Sequence, residues 1–166
     1  MEPIRLSDVL RATGGELLGP AEGNPWIPAV TTDSKDVAPG ALFVPIRGKR
    51  FDGHMFVEQA FLHGASFSLV SRDADLSRMP RNVIVVRDTK RALGDLARWQ
   101  RSRFDVPVIG VTGSCGKTTV KEMLRQVLGD GVVVSHASFN NDIGVPLTLL
   151  RMDRTTRAAV VEIGTS

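Results

Sequence analysis

Residues 106–128 read VPVIGVTGSCGKTTVKEMLRQVL, and this stretch decides the fold. Val108, Ile109 and Val111 form a short apolar run, a loop of small residues follows, and a helical pattern opens after Lys117. Val120, Met123, Leu124, Val127 and Leu128 are the apolar positions of that helix, expected on one face. Strand, glycine loop and helix in this order make a cradle for phosphate. Gly113 and Gly116 let the backbone turn successive N–H groups into one concavity, and the positive end of the helix dipole faces the same place. Gly113, Ser114, Cys115, Gly116, Lys117, Thr118 and Thr119 are therefore the candidate phosphate-binding residues. Lys117 brings a full positive charge to the terminal phosphates and is the candidate catalytic residue, while the Thr118 hydroxyl is a candidate ligand for the accompanying Mg2+ ion.

The spacing departs from the strict pattern G-x-x-x-x-G-K-[ST], whose first glycine would fall on Val111; the glycines stand at Gly110 and Gly113 instead. G-K-T alone is a common tripeptide, so the placement between an apolar strand and an amphipathic helix carries the reading. The plainer alternative is a tight strand-to-helix turn with no ligand.

Thr112 to Thr119, T-G-S-x-G-K-T-T, resembles the ATP loop of the Mur ligases and their folylpolyglutamate synthetase relatives rather than that of Ras-like GTPases. Ser138 to Leu150, SFNNDIGVPLTLL, is similar to the N-N-E-I-G-V-P-L-T-L-L segment of the MurF family, ligases that add D-alanyl-D-alanine to UDP-N-acetylmuramoyl-tripeptide. Thr32 to Phe56, TDSKDVAPGALFVPIRGKRFDGHMF, is similar to that family's amino-terminal T-D-S-R-x-V-x-P-G-x-L-F-V-A-L-x-G-x-x-x-D-G-H-x-F. The three segments together span nearly the whole chain. This resemblance implies ATP and Mg2+ as cofactors, UDP-N-acetylmuramoyl-tripeptide and D-alanyl-D-alanine as small-molecule substrates, and amide formation through an acyl phosphate. It also implies that Ser34, Lys35, Gly48, Asn140 and Asn141 hold the UDP substrate. By composition alone, Thr32 to Lys35 reads as a solvated turn.

Two departures from the family stand out. Cys115 occupies a loop position where the family usually has asparagine, and it is read either as a small lining residue or as a thiol activated by the helix end and Lys117. The family's E-M-G-A-N is here Glu162, Ile163, Gly164, Thr165, Ser166, so the last two positions differ. Glu162 itself admits two readings: a magnesium ligand at the carboxyl end of a buried strand, or a sheet-end glutamate in water.

The rest of the chain alternates strands and helices, which implies an α/β layer structure. Leu6, Val9 and Leu10 suggest a short helix stopped by Gly14 and Gly15. Strands are expected over residues 27–31, 42–46, 65–70, 83–86, 132–134 and 158–163. Asp52 is placed to cap a helix over 54–63 with Val57, Phe61 and Leu62 inside, and Asp88 to cap another with Leu93, Leu96, Ala97 and Trp99 inside. Arg98, Arg101 and Arg103 then form that helix's wet face, and the basic loop from Arg47 to Gly53 is expected to face ligand. The expected organisation is a small amino-terminal mixed α/β UDP-substrate domain, residues 1–104. It is followed by the start of a P-loop, parallel-sheet Mur ligase central domain, residues 105–166.

Composition narrows the function classes. The chain of 166 residues is 42% hydrophobic and 23% charged, as in a soluble globular protein with a core. No apolar run nears the roughly 20 residues of a membrane span. Glu2, Arg5 and Asp8 interrupt any signal-peptide pattern, so a cytoplasmic monomer away from membranes is expected. A net charge of +3 suits phosphate ligands without arguing for nucleic acid. The single cysteine excludes an internal disulfide, and His54, His63 and His136 lack metal-ligand spacing. The resulting expectation is an ATP-dependent ligase of the MurF type, the chain being its amino-terminal part and inactive alone. The rivals are the sister ligase that adds the third amino acid, a phosphate-loop NTPase of another class, and a non-catalytic UDP- or nucleotide-binding module.

Overall fold

The computed structural model describes residues 1–20, 23–49, 51–136 and 139–164. The chain forms two compact units, Pro3–Leu96, and Ala97–Ser166 together with Met1–Glu2. In the first unit β1 (Ile4–Arg5) leads into α1 (Leu6–Thr13), which buries Leu6 and Val9 and ends at Gly14 in the left-handed conformation, as a helix stop requires. The stretch 27–31, expected as one strand, is divided. Pro28 has no N–H to give to a ladder, so β3 (Trp26–Ile27) pairs antiparallel with β1 and β4 (Val30–Thr31) joins another sheet.

That sheet has the order β2-β7-β6-β5-β4, with β2 (Glu16–Leu18), β5 (Leu42–Phe43), β6 (Phe67–Ser71) and β7 (Val83–Val86). The β2–β7 pair is antiparallel and the others are parallel, so the sheet is mixed as expected. Every residue of β6 and β7 is buried, the signature of a sheet covered on both faces. On one face Phe43, Val70, Val83 and Val85 pack with Val57 and Ala60 of α2 (Val57–Leu62). Leu62, expected inside, is 81% exposed. Val57, Ala60 and Phe61 lie at i, i+3 and i+4 and complete the inner stripe, so the next residue points away.

Helix α3 (Thr89–Ser102) starts where Asp88 Oδ1 accepts the Arg91 N–H, and it buries Ala92, Leu93, Leu96 and Ala97. Trp99 is only half-buried, with the Arg103 guanidinium 4.9 Å above its ring. Arg101 departs from the expected wet face. It is half-buried and donates to the carbonyls of Phe104 and Val106, binding the chain as it leaves the helix end.

The second unit is a parallel three-stranded sheet of order β8-β10-β9, made by β8 (Val108–Val111), β9 (Val132–Val134) and β10 (Ala158–Glu162). Its core of Val111, Val134 and Val160 is covered by Leu124 and Leu128 of α4 (Lys117–Leu128). The five apolar positions of α4 share one face, of which Leu124 and Leu128 cover the core while Val120, Met123 and Val127 are 46%, 59% and 83% exposed. The inward stripe is Lys121, Leu124 and Leu128, at i, i+3 and i+7, and Lys121 is buried. A further helix, α5 (Gly144–Leu150), has no counterpart in the sequence expectations. Asn141 Oδ1 accepts the N–H groups of Ile143 and Gly144 at its start, and Pro146 falls in its first turn, where no backbone donor is required. Among the described residues no helix is long and apolar enough to cross a membrane.

Candidate functional site

The loop after β8 owes its path to two glycines. Gly113 has φ 141° and Gly116 φ 77°, conformations that side-chain-bearing residues rarely adopt. Gly116 is the N-cap of α4, and no side chain caps that end, so the first N–H groups of the helix face the loop. Lys117 is half-buried and its Nζ donates to the Gly113 carbonyl at 2.5 Å, which folds the ammonium back over the loop. Ser114, Cys115, Thr118 and Thr119 are exposed along the same turn, Cys115 as a free thiol.

Across from the loop, β10 ends in Glu162, which is 3% exposed and therefore not a sheet-end glutamate in water. A carboxylate so far out of water needs partners, and it has them. Thr118 Oγ1 donates to Oε2 at 3.2 Å and Asn140 Nδ2 donates to Oε1 at 3.0 Å. The Glu162 N–H donates to Ser135 Oγ at 3.0 Å, so the end of β9 fixes its peptide. The Asn140 carbonyl accepts the Gly164 N–H, tying the segment before α5 to the chain leaving β10. Gly144 is required at that helix start, because a Cβ there would lie 2.5 Å from Phe139 Cα. Thr118, Asn140 and Glu162 thus meet at one corner, with Lys117 the residue before Thr118 in the chain. Lys121, with Nζ 3.7 Å from Glu162 Oε2, also belongs to it; reading i+3 from Thr118 along the helix would have found it.

The residues expected to hold UDP divide between the two units. In the first, Ser34 is buried and its hydroxyl donates to Gln59 Oε1 at 2.9 Å, so that group is turned toward α2. Lys35 is exposed, its N–H held by Asp33 Oδ1. Gly48 is exposed in a loop closed by its N–H to the Phe51 carbonyl. In the second unit, Asn140 serves Glu162 and Asn141 caps α5. Arg50, in the basic loop, and the departing positions Thr165 and Ser166 lie outside the described residues.

Arg47, from the basic loop expected to face ligand, is paired with Asp52 at 3.0 Å and Asp73 at 2.9 Å. Asp52 also receives the His54 N–H and the His54 ring. His54 Nε2 accepts the Ser71 N–H at 2.9 Å, so Nδ1 carries the ring proton that points at Asp52. Burial pushes the Asp52 carboxyl up, but the hydrogen bonds from His54 and Arg47 outweigh it and hold the group at about 2.

A glycine loop between β8 and an uncapped helix start, a lysine folded over it, and a buried acidic strand end facing the Thr118 hydroxyl define a phosphate-loop nucleotide-binding unit on a parallel sheet. The profile described as Mur ligase middle domain matches residues 111–166, and the one described as Mur ligase family, catalytic domain, matches residues 27–101. The chain belongs to the Mur ligase family. It is 42% identical to the UDP-N-acetylmuramoyl-tripeptide–D-alanyl-D-alanine ligase of Escherichia coli, over 99% of this chain and 35% of that protein. It is 41% identical to the Bacillus subtilis ligase of the same name, over 97% and 36%. A crystal structure of MurF from Acinetobacter baumannii superposes with a TM-score of 0.87 at 32% identity, covering 99% of this chain and 36% of that one. MurF from Thermotoga maritima, solved in complex with ADP, gives a TM-score of 0.71 at 34% identity over 83% and 32%. The chain thus spans about a third of the length of the relatives it matches.

Proposed function

We propose that the intact protein joins D-alanyl-D-alanine to UDP-N-acetylmuramoyl-tripeptide at the expense of ATP, acting as a cytoplasmic monomer. Residues 1–104 serve as the UDP-substrate domain and residues 105–166 as the start of the ATP-binding domain. The observation that carries the reading is the corner where the Thr118 hydroxyl and the Glu162 carboxylate stand 3.2 Å apart beside the Lys117 loop. Both are hard oxygen donors, the chemistry that Mg2+ prefers, so the residues fit that ion. Thr118 and Glu162 would hold the ion, which would supply positive charge against the nucleotide phosphates.

The chain's own residues do the rest. Gly113 to Thr119 cradle the phosphates through backbone N–H groups, and Lys117 leaves the Gly113 carbonyl to meet the charge that develops on the moving phosphoryl group. The tripeptide's terminal carboxylate attacks the γ-phosphorus and ADP leaves; the dipeptide amine then attacks the acyl phosphate, and phosphate and a proton are released. Ser34, Lys35, Gly48, Asn140 and Asn141 are assigned to the UDP substrate, with Lys35 and Gly48 offering exposed groups and Ser34 held in place by Gln59 and His63.

The test is phosphate release and pentapeptide formation by the intact protein with ATP, Mg2+ and both substrates. Turnover is expected only with D-alanyl-D-alanine as the amine. Turnover with a UDP-muramoyl-dipeptide and a single amino acid would give the sister ligase instead, and tight UDP binding without turnover would give a binding module.

A further inference from the structure

Lys121 is 1% exposed, whereas lysine is among the residue types least often fully buried. It follows Thr118 by three positions in α4, so one turn of helix presents a hydroxyl and an ammonium to the same carboxylate. Its Nζ lies 3.7 Å from Glu162 Oε2, the oxygen that accepts from Thr118, and 3.7 Å from Glu122 Oε1. Glu122 is 45% exposed and already paired with Arg125 at 2.8 Å, so water and a second cation serve it. Glu162, at 3% exposed, is shut off from water, and among the described residues Lys121 is the cation that pairs with it. Charges this deeply buried are little screened, and removing one member of such a pair leaves the other uncompensated.

We propose that Lys121 is a positioning residue for the metal corner. Its ammonium is the resident counter-charge of Glu162, holding the carboxylate toward Thr118 before a divalent cation arrives. A bound divalent cation would add a second positive charge beside the carboxylate that Lys121 already neutralises. Lys121 therefore makes the corner weak for Mg2+ alone and leaves its affinity dependent on the phosphates of a bound nucleotide. The inference rests on the proposed role of Thr118 and Glu162, and half of its test is independent of that role.

The experiment compares thermal midpoints of the wild type, Lys121→Met, Glu162→Gln and the double variant, each with and without Mg2+ and with no nucleotide. Without metal, Lys121→Met is expected to lower the midpoint by several degrees in the wild-type background and markedly less in the Glu162→Gln background. Mg2+ is expected to raise the midpoint of Lys121→Met more than that of the wild type, since the added cation replaces the missing charge. Additive losses, or equal Mg2+ shifts, would overturn the proposal. Should Lys121→Met not fold, Lys121→Gln takes its place in the same comparison. Failure of the nucleotide reading would register separately, as absence of ATP binding by the wild type in calorimetry.

Discussion

Helix α3 buries Ala92, Leu93, Leu96 and Ala97, whereas α4 leaves Val120, Met123 and Val127 exposed and buries Lys121. Both helices carry apolar residues at helical spacing, so periodicity alone does not separate them. What separates them is the surface beneath. The middle of α3 turns only apolar residues inward, and its two buried polar residues, Thr89 and Gln100, stand near its ends and donate to the carbonyls of Pro45 and Met152. Helix α4 packs through Leu124 and Leu128 on the valine core, and its first turns run over the end of β10, where Glu162 needs polar partners. A lysine therefore holds a position that apolar packing would give to a leucine. The inward face of a helix follows the chemistry under it, and apolar spacing does not mark a polar residue set in that face beside a site.

The largest expected effect falls on the structural side of this comparison. Leu93→Ala removes a fully buried side chain and is expected to cost about 2–5 kcal/mol in denaturant unfolding. A loss under about 0.5 kcal/mol, the range of surface changes, would mean that α3 is not the structural helix of the pair.

A smaller effect belongs to Asp52, which joins Arg47 to His54. Its carboxyl is held at about 2 against an ordinary 3.8, so its charged form stabilises the fold above pH 3.8, and that contribution is lost as pH falls toward 2. Asp52→Asn is expected to be less stable at neutral pH, with the difference closing in acid. The side chain is 35% exposed, so solvent screening keeps the effect to about 1 kcal/mol or less. A difference that persists unchanged at pH 2 would remove the charge from the account.

The smallest effect belongs to α4. Val127→Ala, at 83% exposed, is expected to change stability by less than about 0.5 kcal/mol. A loss comparable to that of Leu93→Ala would break the comparison, because the exposed stripe would then be a packing face.

Much of this was legible beforehand for definite reasons. The order strand, glycine loop, helix is local, so residues 108–128 announced themselves, and four consecutive apolar residues gave β7 its bounds. Pro28 hid the break between β3 and β4 because an apolar run looks continuous even where its ladder changes partner. Helix α5 escaped because its start is set by the Asn141 side chain and by the close approach of Gly144 to Phe139, contacts that composition does not display. At the site, Lys117, Thr118 and Glu162 were visible by motif and position. Lys121 and Ser135 were not singled out, since a lysine on a helix and a serine after a strand ordinarily face water; the i+3 offset from Thr118 marked Lys121, and only the fold brings Ser135 to Glu162.

The central claim is that the loop at Lys117 holds nucleotide phosphate independently of the turn and loop at Ser34, Lys35 and Gly48. Calorimetry of Lys117→Ala in the intact protein, titrated separately with Mg-ATP and with UDP-N-acetylmuramoyl-tripeptide, tests it most directly. The account predicts that ATP binding is abolished while affinity for the UDP substrate stays largely intact. Equal loss of both ligands with circular dichroism intact, or undiminished ATP affinity, would contradict it.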